Sequence, residues 1–208
     1  MIVSKSTGIT TTDQLRNSPV PIKMGGLSRG NSSEGLLRVA KYIGFPLQIV
    51  SGYKGTTEIR LAMESGEVGG GPPGFDSARA SWWNLIESGK AFVALQGVPK
   101  PLKEIPKVPR LIDYARTEEH KKVVDVAVNS VNEFARAWVL PPGTPKERVT
   151  ILRTAFDAMV KDPEFLAEAA KLRLTVDPAT GDELAAEVAA ISKADPAILA
   201  KIKTILFE

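Results

Sequence analysis

Short apolar runs alternate with amphipathic segments through the first two-thirds of the chain. Ile2-Val3 is strand-like from the outset. Thr10-Thr11-Thr12-Asp13 supplies caps for a short helix at Gln14-Leu15-Arg16, which Pro19 and Pro21 then break. Residues 20–24 predict a strand running into Gly25-Gly26. Asn31-Ser32-Ser33-Glu34 opens a helix with Leu36, Leu37, Val39, Ala40 and Ile43 apolar, and Gly44 closes it. Residues 46–50 predict a second strand. Residues 52–58 form a second turn, leading into a helix over 59–64 that Gly66 stops. Residues 68–74 read as a loop crossing between layers, followed by a helix over 76–88. Residues 91–96 are a short apolar run between Gly89 and Gly97, the mark of a buried strand. A proline-rich connection over 98–110 follows, then helices over 111–114 and 118–128, and a strand over 134–140.

The last third changes character. Helices are predicted over 148–160, from Pro163, from Thr180-Gly181-Asp182-Glu183 to about Ile191, and from Asp195-Pro196 onward. Leu174-Thr175-Val176 is the one further strand candidate. The earlier alternation predicts an α/β fold with a parallel or mixed sheet covered on both faces. Ligands in such folds bind at the carboxyl ends of the strands. Three Gly-rich strand-to-helix turns stand at such positions here.

Composition narrows the classes. The chain has 208 residues, no cysteine, 43% hydrophobic and 25% charged residues, and a net charge of 27 − 24 = +3. That excludes wholesale disorder, a disulfide scaffold and Cys-based metal sites. No apolar run reaches the roughly 18 residues a membrane-crossing helix needs. The pI near 9.1 comes from scattered charges. Lys100, Lys103, Lys107 and Arg110 are separated by prolines and apolar residues, so no nucleic-acid partner is expected. The first residues lack the apolar stretch and cleavage site of a signal peptide. No cluster has metal-ligand spacing, and neither a metal nor a cofactor is expected.

Gly26-Leu27-Ser28-Arg29-Gly30 matches G-x-S-x-G, and Ser28 with His120 would suit a serine hydrolase. His120, however, sits in the charged helix start Thr117-Glu118-Glu119-His120-Lys121-Lys122. Residues 25–32 resemble a phosphate loop whose essential lysine is replaced by Asn31, which argues against a nucleoside triphosphate. A glycine-rich turn into a helix still aims backbone N–H groups at an anion. Ser28, Asn31, Ser32 and Ser33 add side-chain donors, unless Asn31 or Ser32 serves only as a cap. Gly69-Gly70-Gly71-Pro72-Pro73-Gly74 matches G-x-G-x-x-G, but its prolines remove the donors a pyrophosphate needs. Gly52-Tyr53-Lys54-Gly55-Thr56-Thr57 is a second anion-type turn, with Thr56 or Thr57 as cap. Phe75-Asp76 opens the third helix, with Asp76 as its expected cap. Trp82 and Trp83 cannot face the same way, so one is expected in the core and the other half-exposed.

These turns, with Glu64-Ser65-Gly66-Glu67-Val68, residues 140–149 (Leu-Pro-Pro-Gly-Thr-Pro-Lys-Glu-Arg-Val) and Asp162-Pro163-Glu164-Phe165, resemble the substrate-binding receptors of tripartite tricarboxylate transporters. The resemblance runs along essentially the whole chain. It implies a two-lobed, periplasmic, venus-flytrap fold with no enzymatic activity, which binds small carboxylates for the transporter's membrane subunits. It implies that Ser28, Gly30, Asn31, Ser32 and Ser33 clasp a carboxylate, that Tyr53, Lys54, Gly55 and Thr56 line the next wall, and that Phe75 and Asp76 close the third side. Residues 18–134 would then be a complete second lobe. Residues 1–17 and 135–208 would be hinge strands and helices of an incomplete first lobe. A non-binding remnant is the other reading, in which a homodimer covers the apolar helix faces at Leu152, Phe156, Phe165, Leu166 and Leu184.

Overall fold

The computed structural model describes residues 1–133, 136–172 and 174–208. These divide into two compact units, Met1–Asn132 with Ala194–Glu208, and Glu133–Lys193.

The first unit is built on two small sheets, a parallel pair and an antiparallel set of three. Strands β2 (Ile22–Gly25) and β3 (Leu47–Val50) run parallel, with Ile22 opposite Leu47 and Gly25 opposite Val50. Strand β1 (Ile2–Ser4) lies between β4 (Gly70–Gly71) and β5 (Ala91–Val93), antiparallel to both. The Gly69 N–H donates to the Lys23 carbonyl at 2.7 Å, which sets β4 beside β2. The order across the unit is therefore β3, β2, β4, β1, β5.

Strand β4 departs from the expected loop over 68–74. The reason is close packing rather than β propensity. A Cβ on Gly70 would run into the Ile2 carbonyl and lie 2.9 Å from Met24 Cε, so only glycine lets this central strand approach its neighbours. Residues 1–17, grouped from the sequence with 135–208, lie in the first unit because β1 is an inner strand there.

Alternation along the strands separates two cores. Val3, Met24 and Leu47 face one side with Leu37, Val39, Leu95, Val123 and Val124. Ile2 and Ala91 face the other with Ile59, Met63, Val68, Trp82 and Leu85. Helices α2 (Ser32–Tyr42) and α6 (Glu118–Val124) cover the first face. The C-terminal helix α11 (Pro196–Phe207) joins them, contributing Ile198, Ile202, Ile205 and Leu206. Helices α3 (Thr56–Glu64), α4 (Phe75–Ser81) and α5 (Trp83–Glu87) cover the second. A short α1 (Thr12–Arg16) buries Leu15 in the first core.

The single helix expected over 76–88 is broken at Trp82, whose indole is fully buried with its edge 3.2 Å from where a Gly71 Cβ would stand. Trp83 stays half-buried, edge-on to Phe75 at 6.0 Å, as the incompatibility of the two tryptophans required. The helix expected over 118–128 runs on instead. It widens to a π turn at Asp125–Asn129 and continues as α7 (Ser130–Glu133).

The second unit is helical, with α8 (Lys146–Met159), α9 (Pro163–Lys171) and α10 (Gly181–Ser192). Asp162 caps α9 just before its Pro163, and Thr180 with Glu183 forms a capping box on α10. Arg153 bonds Asp182 at 2.8 Å, joining α8 to the start of α10. The strand expected over 134–140 is not found where it can be seen. Phe134 and Ala135 lie outside the described residues, and 136–140 form a turn and irregular chain with Trp138 82% and Val139 83% exposed. Residues 174–176 are likewise irregular. An apolar run becomes a strand only beside another strand, and none lies beside either run among the described residues.

Candidate functional site

The carboxyl ends of β2, β3 and β4 lie side by side, so the three turns that follow them converge. The first two turns are bonded to each other. The Gly26 N–H donates to the Val50 carbonyl at 2.8 Å, Gly52 N–H to Leu27 at 2.8 Å, and Tyr53 N–H to Gly26 at 3.3 Å. Beneath them sits Ile59, fully buried. A Cβ on Gly25 would lie 2.7 Å from Ile59 Cγ2, and one on Gly71 would lie 2.5 Å from it. The glycines therefore let one α3 side chain close the floor under the first and third turns.

The three helix starts differ. At α2 the Asn31 Oδ1 accepts the Ser33 N–H at 2.9 Å, so Asn31 does cap the helix. Ser28 and Gly30 are exposed just outside it, Ser32 is exposed as its first residue, and Ser33 is half-buried. At α3 the cap is Gly55, and Thr56 and Thr57 are the first helical residues rather than caps. At α4 the cap is Gly74, so Asp76 is likewise inside the helix, not its cap. Neither glycine has a side-chain acceptor to offer the first N–H groups of its helix.

The walls are partly committed. Tyr53 donates its hydroxyl to Glu67 Oε1 at 2.6 Å. Burial, reinforced by that bond and the Glu67 charge, raises the phenol to about 12, so it keeps its proton. Lys54 is exposed, and its backbone N–H donates to Glu58 Oε2 at 2.9 Å. Phe75 is flanked by Trp83 and by Arg79, whose guanidinium carbon stands 5.8 Å from the ring centre. That is a cation over an aromatic face at the third turn.

Glu34 was not singled out from the sequence. Its place after Asn31-Ser32-Ser33 suits an outward capping-box acid, but the side chain turns inward and is fully buried. Its Oε1 accepts from Arg38 Nε at 2.9 Å and from Ser51 Oγ at 2.8 Å. Its Oε2 lies 2.6 Å from where a Gly26 Cβ would stand. One carboxylate thus braces the first turn, the second turn and the first coil of α2. No sequence period distinguishes such an inward acid from a surface one.

The hydrolase pairing is overturned. His120 packs edge-on against Tyr42 at 5.4 Å, at the far end of α2. Ser28 precedes the near end, and 11 helical residues put about 15 Å between the two ends. Two shallow clefts, of about 440 and 470 Å³, are lined by Pro21, Lys41 and Phe45, and by Ser4, Lys5 and Lys90, and do not include the turns above.

No family model and no curated protein matches this sequence. Solved structures do. An R. palustris protein, Rpa4515, determined with adipate, matches over 99% of this chain at 16% identity and a TM-score of 0.63. A TctC solute-binding protein from Polaromonas, determined without ligand, matches over 98% at 14% identity and a TM-score of 0.62. The chain spans 64% of the length of each. Its fold is the one these two structures share, periplasmic-binding-protein-like.

Proposed function

We propose that this chain is the ligand-binding part of a solute-binding protein that captures a small di- or tricarboxylate for a tripartite tricarboxylate uptake transporter. The observation that carries the reading is the convergence of the first two turns, bonded to each other, with the third, at two helix starts whose glycine caps carry no side-chain acceptor. A carboxylate supplies that acceptor, and the helix dipoles favour its charge. Ser28, Gly30, Ser32 and Ser33 form the first side. Lys54, Gly55 and Thr56 form the second, with the Tyr53 ring. Phe75 and Asp76 form the third. Asn31 acts through the helix it caps. The adipate in Rpa4515 supports a dicarboxylate as ligand class.

In this reading residues 18–134 are the second lobe, and 1–17 and 135–208 are hinge strands and helices of the first. β1 and α11 are then first-lobe pieces that cross over to pack in the first unit. The receptor works in the periplasm and delivers its ligand to membrane subunits. A homodimer covers the apolar helix surface of the second unit, where Leu152 is 50% and Leu166 40% exposed.

A thermal-shift series with adipate, succinate, malate, citrate and glutamate tests the ligand class. At 100 times its dissociation constant, a bound acid adds about 2.7 kcal/mol. Ser33→Ala and Thr56→Val are each expected to weaken binding by about tenfold, the worth of one hydrogen bond to a charge. No shift with any of these acids, from a folded sample, removes the proposal.

A further inference from the structure

The first turn is held from outside by the far end of the chain. Gly30 sits at φ +77°, and a Cβ on it would collide with the Phe207 ring. The Arg29 guanidinium donates to the Phe207 carbonyl at 3.0 Å, across 178 residues of sequence. One coil further along α2, a Cβ on Gly35 would meet Leu206 Cδ2 at 3.4 Å. Two glycines on the α2 side thus leave room for two consecutive residues at the end of α11. Upstream, Ile198, Ile202 and Ile205 anchor α11 in the core that also holds Leu37 and Val39.

Burial alone does not account for this end. Phe207 is 53% exposed, so little apolar area is gained by seating its ring on Gly30. What the contact does restrict is the turn. Gly30 is free to take many backbone conformations, and the Asn31 N–H to Ser28 carbonyl bond, at 3.1 Å, closes the turn around it. The ring against Gly30 and the hydrogen bond from Arg29 remove that freedom at adjacent residues.

We infer that Phe207 and Arg29 form a latch by which the C-terminal helix holds the Ser28–Gly30 segment in the shape that receives a ligand. Both are positioning residues. The inference rests on the proposed function for its consequence on binding, but not for the latch itself. Pre-ordering a turn spares the entropy that a ligand would otherwise lose in ordering it.

The test uses the full chain with Phe207→Ala and, separately, Arg29→Gln, an exposed change that leaves the core intact. Amide hydrogen exchange is read without ligand, and adipate affinity is read beside it. A latch predicts exchange at residues 28–33 faster by about tenfold, with β2 and residues 37–42 of α2 unchanged. It also predicts weaker adipate binding in both variants. Exchange that rises evenly through the first unit marks a merely structural contact and overturns the latch, as does no change at 28–33. Faster local exchange in the variants of a chain that binds no acid sustains the latch and overturns the proposed function instead.

Discussion

Glu34 shows how much one side chain can hold. A buried carboxylate is costly unless it is paired and hydrogen-bonded. Arg38 and Ser51 pair one of its oxygens. Removing one partner leaves the charge stranded, so Arg38→Ala is expected to cost about 3–5 kcal/mol in urea unfolding. A loss below about 1 kcal/mol, the scale of a surface pair, would contradict this account of the brace. Glu34 was not legible in the sequence. Burial of an acid depends on what the fold lays over it, and no local pattern records that.

At the scale of elements, the glycine-rich turns were legible because each pairs an apolar run with a helix start, a local arrangement. Their convergence was inferred from the α/β alternation, and the bonds from Gly26 to Val50 and from Gly52 to Leu27 join the first two of them. Strand β4 was not legible, because two glycines carry no β signal and their role is to admit neighbours. The break at Trp82 was missed for a similar reason: the helical period is uninterrupted, and the indole is drawn in by the packing around Gly71. The caps at α3 and α4 were each assigned a residue or two late, since hydroxyl and carboxylate residues are preferred at caps while glycine fills the position here. Two substitutions test the element-level account. Ile59→Ala removes the floor under two turns and is expected to cost about 2–5 kcal/mol. Asn31→Ala removes the α2 cap, costs about 1 kcal/mol and weakens acid binding. If Ile59→Ala were nearly silent in thermal unfolding, the floor would not be packed as described.

For the whole molecule, the fold was legible as an α/β lobe followed by helices, and the structural neighbours share it. The strand expected at 134–140 shows the limit of that reading: its visible part, 136–140, is irregular despite an apolar pattern. The second unit buries little of its own apolar surface, with Ile151 60% and Val188 50% exposed. Sedimentation velocity is accordingly expected to show association that rises with concentration, and a compact monomer throughout would count against the homodimer. The central claim is that the three turns together receive a carboxylate. Amide chemical-shift mapping of the labelled chain during titration with adipate tests it most directly. The account predicts saturable shifts at Ser28, Ser32 and Ser33, at Gly55 and Thr56, and at Phe75 and Asp76, with the clefts near Lys41 and Lys90 unmoved. Saturable shifts confined to those clefts, or none at all at millimolar adipate, would contradict it.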